Sequence, residues 1–485
     1  MMDSILRLLV NEDQIVNSKG DPINLRGVCL GGWLNMENFI NGYPGSEHGL
    51  RKSMAQTLGQ DKSRFFFDRL LDYFITEADI HFIKSQGVNV VRIPFNYRHF
   101  ESDSEPFSYL EAGFARLDSI LGWCAKSGVY AILDMHAAPG WQNPDWHSDN
   151  ANRNTLLWEH PHFQNRLIRL WEIIAERYSD DPTVAGYDVI NEPVIAAPQG
   201  IFCENYYHPE WIVINQLYHR IVDAIRAKDP DHIIFLEGDF FSSRFDGLDE
   251  PFASNLVYSG HIYTLGCFGP GAYPGKIHDE WWDKARQLKS FDEHEGTIYT
   301  RKNKVPFWVG ECGMVYDGLK QELPDRVRAF DDQLSIFNDA GTHWTTWEYK
   351  DVGIMGWVSL DPNCEYLNRI AQVLKAKRLL DTDFWLEWSA LTPAKRMAAE
   401  LARVITDTIN DPNVQLPEIE TYFRQSSLAN FTGELLQVNY AKCFLGLSEV
   451  EIDRVLQSFK LENCSIHQDL IGVIQKNLPT TPKSV

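Results

Sequence analysis

Residues 184–193 read Val-Ala-Gly-Tyr-Asp-Val-Ile-Asn-Glu-Pro. An apolar, partly β-branched run stops at an amide, a carboxylate and a proline, and proline cannot continue a strand ladder. The pattern predicts a buried strand with Glu192 at its C-terminal tip. A second run of the same design, Pro306-Phe307-Trp308-Val309-Gly310-Glu311, ends on another carboxylate. Parallel barrels carry their working groups at strand C-termini. Two facing carboxylates are also the minimal machinery for cleaving a glycosidic bond.

Six more strand candidates surround these two, giving the series Leu25–Leu30, Val88–Pro94, Tyr130–His136, Val184–Asn191, His232–Leu236, Leu256–Tyr263, Pro306–Glu311 and His343–Tyr349. Helical spacing falls between most of them: Phe65–Gln86 stopping at Gly87, Leu110–Ser127 stopping at Gly128, then Phe163–Tyr178, Trp211–Lys228, Arg326–Ala340 and Leu367–Leu379. The short gap after the fifth strand, with Gly247 and Pro251, leaves room for a single helical turn. Repeated strand–helix alternation predicts an α/β fold, a closed (β/α)8 TIM barrel. An open doubly wound sheet would want a phosphate-cradling glycine-rich first turn, which Leu30-Gly31-Gly32-Trp33 does not match. Residues 1–384 are therefore expected to form the catalytic barrel, with 385–485 a helical extension packed on it. In that extension Ala394–Ile409 and Ser448–Phe459 read as amphipathic helices, Pro412–Pro417 interrupts the pattern, and Ser448 with Glu451 fits a capping box. The tail Pro479–Val485 is expected to be disordered.

Composition agrees with a large enzyme. The 485 residues are 44% hydrophobic and 13% aromatic, with 15 tryptophans, an excess that suits flat ligands such as sugar rings as well as cores. A formal net charge of −22 argues against nucleic acid or an anionic membrane surface as partner. No run approaches the roughly 18 apolar residues of a membrane span. The patch within Met1–Val10 is short and flanked by Asp3 and by Asn11-Glu12-Asp13, unlike an export signal. The eight cysteines are scattered, without a Cys-x-x-Cys pair, and read as reduced. Together these features predict a cytoplasmic location. They assign no oligomeric state.

The candidate site residues follow from the strand ends. Asn191, beside Glu192, is placed to hydrogen-bond a sugar 2-hydroxyl. Arg92 lies inside the apolar run Val90–Pro94, where a charge is costly unless paired; a guanidinium near Glu311 would keep that carboxylate ionised. His136, His261 and Tyr263 end their strands, a polar ring around one pocket, with Tyr263 able to donate to the carboxylate at Glu311. Trp347 is placed to floor a sugar site and Trp344 to fill the core. Asp134 and Glu237 are rival carboxylates without an assigned catalytic role.

The ordered series Arg92, His136, Asn191-Glu192-Pro193, His261-x-Tyr263, Glu311 and Trp347 resembles glycoside hydrolase family 5, the cellulase family, over roughly residues 20 to 375. The resemblance implies a retaining β-glycosidase with Glu192 as acid/base and Glu311 as nucleophile, an oligosaccharide or glycoside as substrate, no cofactor and no metal. Gly27-Val28-Cys29-Leu30-Gly31-Gly32-Trp33-Leu34 followed by Glu37 is similar to the opening of the family's exo-β-1,3-glucanase branch, which places a sugar-binding Glu where Glu37 stands. Ala138-Pro139-Gly140-Trp141-Gln142-Asn143 is similar to that branch's Ala-Pro-Gly-Ser-Gln-Asn, with Trp141 departing and Asn143 retained as a candidate ligand. Residues 38–60 and Trp146-His147 do not match that branch. Trp347-Glu348-Tyr349-Lys350 resembles strand eight of the endoglycoceramidase branch.

The expected activity is exo-cleavage of β-glucosides or short β-glucans. Endoglycoceramidase-like, endo-β-glucanase or mannanase action is the alternative. A non-catalytic carbohydrate-binding barrel usually loses one carboxylate, and both are present. A metal-dependent barrel hydrolase would want a His-x-His pair ending strand one, whereas His160-Pro161-His162 opens a helix after strand three.

Overall fold

Eight parallel strands close on themselves in chain order, each paired with its sequence neighbours: β1 (Arg26–Cys29), β2 (Val90–Asn96), β3 (Tyr130–Ala137), β4 (Val184–Asp188), β5 (Ile233–Glu237), β6 (Leu256–His261), β7 (Phe307–Cys312) and β8 (His343–Thr346). The computed structural model describes residues 5–195, 209–269, 271–317, 322–383, 392–411 and 416–479. Cys203, the segment 412–415 and the tail beyond 479 lie outside the described residues. The seven described cysteines are all free. Nearly every strand residue is buried because the lumen covers one face and helices the other, which explains the continuous apolar runs in place of alternation.

The floor of the barrel is sealed by an N-terminal hairpin, Leu8–Asn11 with Gln14–Asn17. Its Leu8 and Ile15 join Leu25, Val90, Ile132, Ala185, Ile233, Phe235, Val257 and Trp308 in one apolar layer. The helices occur where spacing predicts them, including the single turn Asp239–Ser242 after β5. One expectation is corrected. Phe65–Gln86 is not one helix but two, Gln60–Phe74 and Glu77–Ser85. The break comes at Ile75, which is extended, and Thr76 and Asp79 form a capping box that starts the second helix. Helices also fill the space between β6 and β7 (Leu265–Phe268, Lys284–Glu293, Glu295–Asn303), where the sequence reading assigns none.

The C-terminal elements pack against the barrel's own helices. They comprise Pro393–Ile409, Leu416–Phe423, a π-helical stretch Arg424–Thr432, Gly433–Lys442, Glu449–Leu456, a short strand Cys464–Ile466 and Gln468–Lys476. The strand pairs antiparallel with Val358–Leu360, which follows β8. Lys350, buried, ties the two regions by donating to the carbonyls of Phe74 and Phe459 and to Asp79. Among the described residues no helix is long and apolar enough to cross a membrane.

Candidate active site

Arg92, in the middle of β2, points into the lumen with no exposure. A guanidinium there must be paired. Its Nη1 donates to Glu311 Oε1 at 2.7 Å, Nε to Asp188 Oδ2 at 3.0 Å, and Nη2 to Asn191 Oδ1 at 2.7 Å and Glu237 Oε1 at 3.1 Å, with Asp134 Oδ2 3.2 Å away. The pairing with Glu311 is the predicted one, and the two rival carboxylates, Asp134 and Glu237, also face this cation. Asp188 joins them without being a sequence candidate; its signal is a lone acid within Val184–Ile190. Burial pushes the Asp188 carboxyl well above the usual range, with the charge of Glu237 adding to that and Arg92 opposing it.

Glu192 lies beyond the strand that introduces it. β4 ends at Asp188, and Glu192 sits four residues on, with φ at +45°. A non-glycine residue in the left-handed region is held there by its surroundings. The Glu192 backbone N–H donates to Glu237 Oε2 at 2.7 Å, and Asn143 Nδ2 donates to its carbonyl at 3.0 Å. Glu237 itself is held down to about 2: burial raises it, and the charge and hydrogen bond of His261, then Arg92, more than offset that.

The two glutamates have opposite neighbours. Glu311, on β7, receives Arg92 on Oε1 and the Tyr263 hydroxyl on Oε2 at 2.8 Å, as predicted. Tyr263 lies two residues past the end of β6 and is 38% exposed. Glu192 receives two imidazoles, with His261 Nδ1 2.7 Å from Oε1 and His147 Nε2 3.0 Å from Oε2. Burial pushes the Glu192 carboxyl up, but the hydrogen bonds and charges of His147 and His261 outweigh it and hold the acid well below the usual range. Both imidazoles are raised in turn: burial opposes their charge, and carboxylates overcome it, Glu192 at His147 and Glu237, Glu311 and Glu192 at His261. Selected ligand atoms of Glu192, His261 and Glu311 all lie within 4.8 Å of one another. Among the described residues this is the one cluster whose spacing would suit a metal ion, but its donors are engaged by Arg92, Tyr263 and each other.

The rest of the ring forms one wall. Glu37, eight residues past β1, is buried, with its Oε1 3.3 Å from His136 Nε2 and its Oε2 accepting the Trp146 indole N–H at 3.3 Å. His136 Nδ1 is 2.8 Å from Asp134 Oδ2, and its ring stacks on Trp347 at 5.3 Å with an interplanar angle of 6°. Burial disfavours the His136 cation, but Asp134 and Glu37 push it up to about 10. Trp347 follows β8 directly and is 5% exposed, whereas Trp344 is fully buried, as predicted. Asn143 Nδ2 also lies 2.8 Å from His147 Nε2. Every predicted site residue is thus brought together. His147 was missed, and its only signal was the unmatched Trp146-His147 pair in the loop after β3.

Residues 56–353 match the family model for cellulase, glycosyl hydrolase family 5. The chain belongs to that family. It is a glycoside hydrolase. A β-xylosidase from Phanerodontia chrysosporium is 37% identical over 477 residues, which cover 95% of this chain and 96% of that protein. A probable glucan 1,3-β-glucosidase A from Neosartorya fischeri is 27% identical over 366 residues, covering 69% of this chain and 84% of that protein. Among solved structures, an endogalactoceramidase superposes with a TM-score of 0.52 at 17% identity, over 71% of this chain and 75% of its own. That likeness speaks to the fold alone. For the family 5 hydrolase, the relevant geometry is the asymmetric pair, one carboxylate facing a fixed cation and a phenol, the other two proton-bearing rings.

Proposed function

We propose that the enzyme is a retaining, exo-acting β-glycosidase of small β-glycosides, with Glu311 as nucleophile and Glu192 as acid/base. The observation that carries the reading is the carboxylate pair, with one oxygen of Glu192 and one of Glu311 within 4.8 Å at closest approach, on the side of the shorter separation. Double displacement wants carboxyl groups about 5–5.5 Å apart, whereas inversion leaves room for water at about 6.5–9.5 Å. Arg92 and Tyr263 orient the Glu311 carboxylate for attack on the anomeric carbon. As the new ester bond forms and the glycosidic C–O bond breaks, Glu192 passes a proton to the departing oxygen. Glu192 then takes a proton from the water that attacks the same carbon, which releases Glu311.

NMR of the first-formed product is expected to show the β-anomer. Glu311→Ala is expected to abolish turnover, with azide restoring it to an α-configured product, and Glu192→Ala to spare substrates with activated leaving groups. An α-anomer from the wild type, or exchanged phenotypes, overturns the assignment.

Exo action is supported by Glu37, whose carboxylate sits buried between His136 and Trp146, where it can accept from two hydroxyls of a terminal sugar. Glu37→Ala is expected to cost about 1.5–3 kcal/mol in kcat/KM on short substrates. The relative named as a β-xylosidase, similar over nearly the whole chain, supports a second reading in which the sugar is a β-xyloside instead of a β-glucoside. These differ by the hydroxymethyl group on C5, and nitrophenyl β-glucoside and β-xyloside assayed side by side decide between them. Internal cutting of a soluble glucan or mannan, with viscosity falling before reducing ends accumulate, or release of an intact oligosaccharide from a glycolipid, would refute the pocket reading.

A further inference from the structure

The loop 143–153 after β3 carries two adjacent residues into two different parts of the site. Trp146 donates to Glu37, and His147 lies on Glu192. The loop has little regular structure of its own, a single 3-10 turn at Trp146–Ser148. Its outer side rests on the C-terminal helices. Trp146 packs on Ala429, and both are buried. Asn430 Nδ2 donates to the Asn150 carbonyl at 3.5 Å, and Arg153 joins Gln425 Oε1 at 3.2 Å to Asp145 Oδ1 at 2.8 Å. Gln425, Ala429 and Asn430 all lie on the π-helical stretch, whose first residue, Arg424, is fixed by Asp381 at 2.8 Å. A widened turn of this kind is uncommon and is often found at functional positions.

The next helix makes a second approach to the same wall. Glu434 Oε1 accepts the Ser46 N–H at 2.6 Å, and Gln437 Nε2 donates to the Ser46 carbonyl at 3.0 Å. Contact is close enough that a Cβ on Gly49 would lie 2.2 Å from Glu434 Oε2. Ser46 caps the helix that begins at Glu47, and Glu47 Oε2 accepts the Met36 N–H at 3.0 Å, one residue before Glu37.

From these two approaches we infer that the C-terminal segment 424–437 is a positioning element of the active site, setting Trp146 and His147 on one side and Glu37 on the other in register with Glu192. The inference rests on the reading of Glu192 as proton donor and Glu37 as sugar ligand. None of the segment's residues is a catalytic residue; they act through the loop. Because Trp146 and His147 are consecutive, a displacement at Ala429 moves the sugar contact and the proton-donor contact together.

The test is Ala429→Leu in the full chain, assayed on a dinitrophenyl glycoside and on a simple alkyl glycoside of the same sugar, beside Glu192→Ala. Ala429 is buried against Trp146, so the added volume of leucine presses on the indole and displaces the loop. The expected result is a raised KM on both substrates and a loss in kcat at least about tenfold larger on the alkyl glycoside, since a displaced donor matters only where the leaving group needs a proton. A fall in active fraction alone would lower kcat equally on both and leave KM unchanged, and that result overturns the inference. Should Ala429→Leu not fold, Gln425→Ala with Asn430→Ala removes the polar ties without adding volume and carries the same two expectations. If Glu192→Ala shows the leaving-group dependence and the Ala429 variant does not, the inference about the segment falls alone. If Glu192→Ala shows none, the assignment of the donor falls and takes the inference with it.

Discussion

Replacing His147 with Gln tests where the catalytic proton is stored. In the free enzyme Glu192 sits between two imidazoles that hold it ionised. On the proposed role of Glu192 as donor, the geometry offers His147 as a store for its proton, with Nε2 3.0 Å from Glu192 Oε2. His147 faces Glu192, Glu37 and Asp145, whose charges overcome burial and raise it above its ordinary value near 6.5. A raised base keeps its proton below that shifted value and loses it as pH climbs through it. The alkaline limb of kcat/KM in the wild type is thus set by the histidine–glutamate cluster and lies above about pH 6.5.

Glutamine keeps the loop's polarity but stores no proton. The limb then passes to the remaining His261–Glu192 pair, which has lost one of its two imidazoles. A hydrogen bond to a charged group is worth about 1.5–3 kcal/mol, which corresponds to about one to two pH units. The limb is expected to move down by at least about one unit, with the acidic limb unmoved, and the loss at neutral pH to be larger for poor leaving groups. Stopped assays of kcat/KM across pH 4 to 9 (about ten points) on aryl glycosides of graded leaving-group acidity measure this. An alkaline limb that stays in place refutes the storage of the proton on His147.

Tyr263→Phe removes one of two groups on Glu311 and is expected to lower kcat/KM by roughly tenfold to a hundredfold, with the remaining activity still retaining; an unchanged rate would mean the phenol does not act on the nucleophile. Arg92→Leu leaves Asp134, Asp188, Glu237 and Glu311 without their shared cation, and a loss of about 3–5 kcal/mol in stability is expected at neutral pH. Burial already raises the Asp134 and Asp188 carboxyls and Arg92 opposes it, so without the cation these two rise further, the deficit should shrink as pH falls through the carboxyl range, and an equal deficit in thermal melts at acid and neutral pH would contradict the cage. Gly31→Ala sets a methyl carbon 2.8 Å from the Trp347 ring and is expected to raise KM through the sugar platform with a smaller effect on kcat. Chelators are expected to leave activity unchanged, checked by assay after dialysis against EDTA; loss restored by added metal would assign an ion to the Glu192–His261–Glu311 cluster.

The barrel was legible because its strands are buried on both faces and so appear as apolar runs, each punctuated by a polar residue at the working end. Glu311 and His136 could be placed on that basis. Glu192, Tyr263 and Trp347 were found for the same reason, although they stand just past their strands, since 189–191 and 262 remain apolar or neutral after pairing has ended and Trp347 follows its strand directly. Asp134 and Glu237 were visible but ambiguous, because their role depends on converging on Arg92 from different strands. His147 was hidden because its loop has no period, and its position is set by contacts with residues some 280 positions away in the sequence, as the Asn430–Asn150 bond illustrates. The interruption at Ile75 was readable in principle from Thr76 and Asp79, but the hydrophobic spacing continues across it.

The hairpin beneath the barrel has a bearing on the chemistry above it. Leu8 and Ile15 close the lower mouth, and Trp308, in the same apolar layer, lies 5.7 Å from the Arg92 guanidinium. The acids around Arg92 thus rest on an apolar layer whose lowest members come from the chain's first residues, and that layer contributes to the low permittivity in which they titrate. Trimming the chain through residue 17 would admit solvent from below. The wall of strands has its own ladder and helices, so the earliest symptom would be hydration of the lumen and a flattened titration of the acid cage, ahead of any loss of the barrel itself.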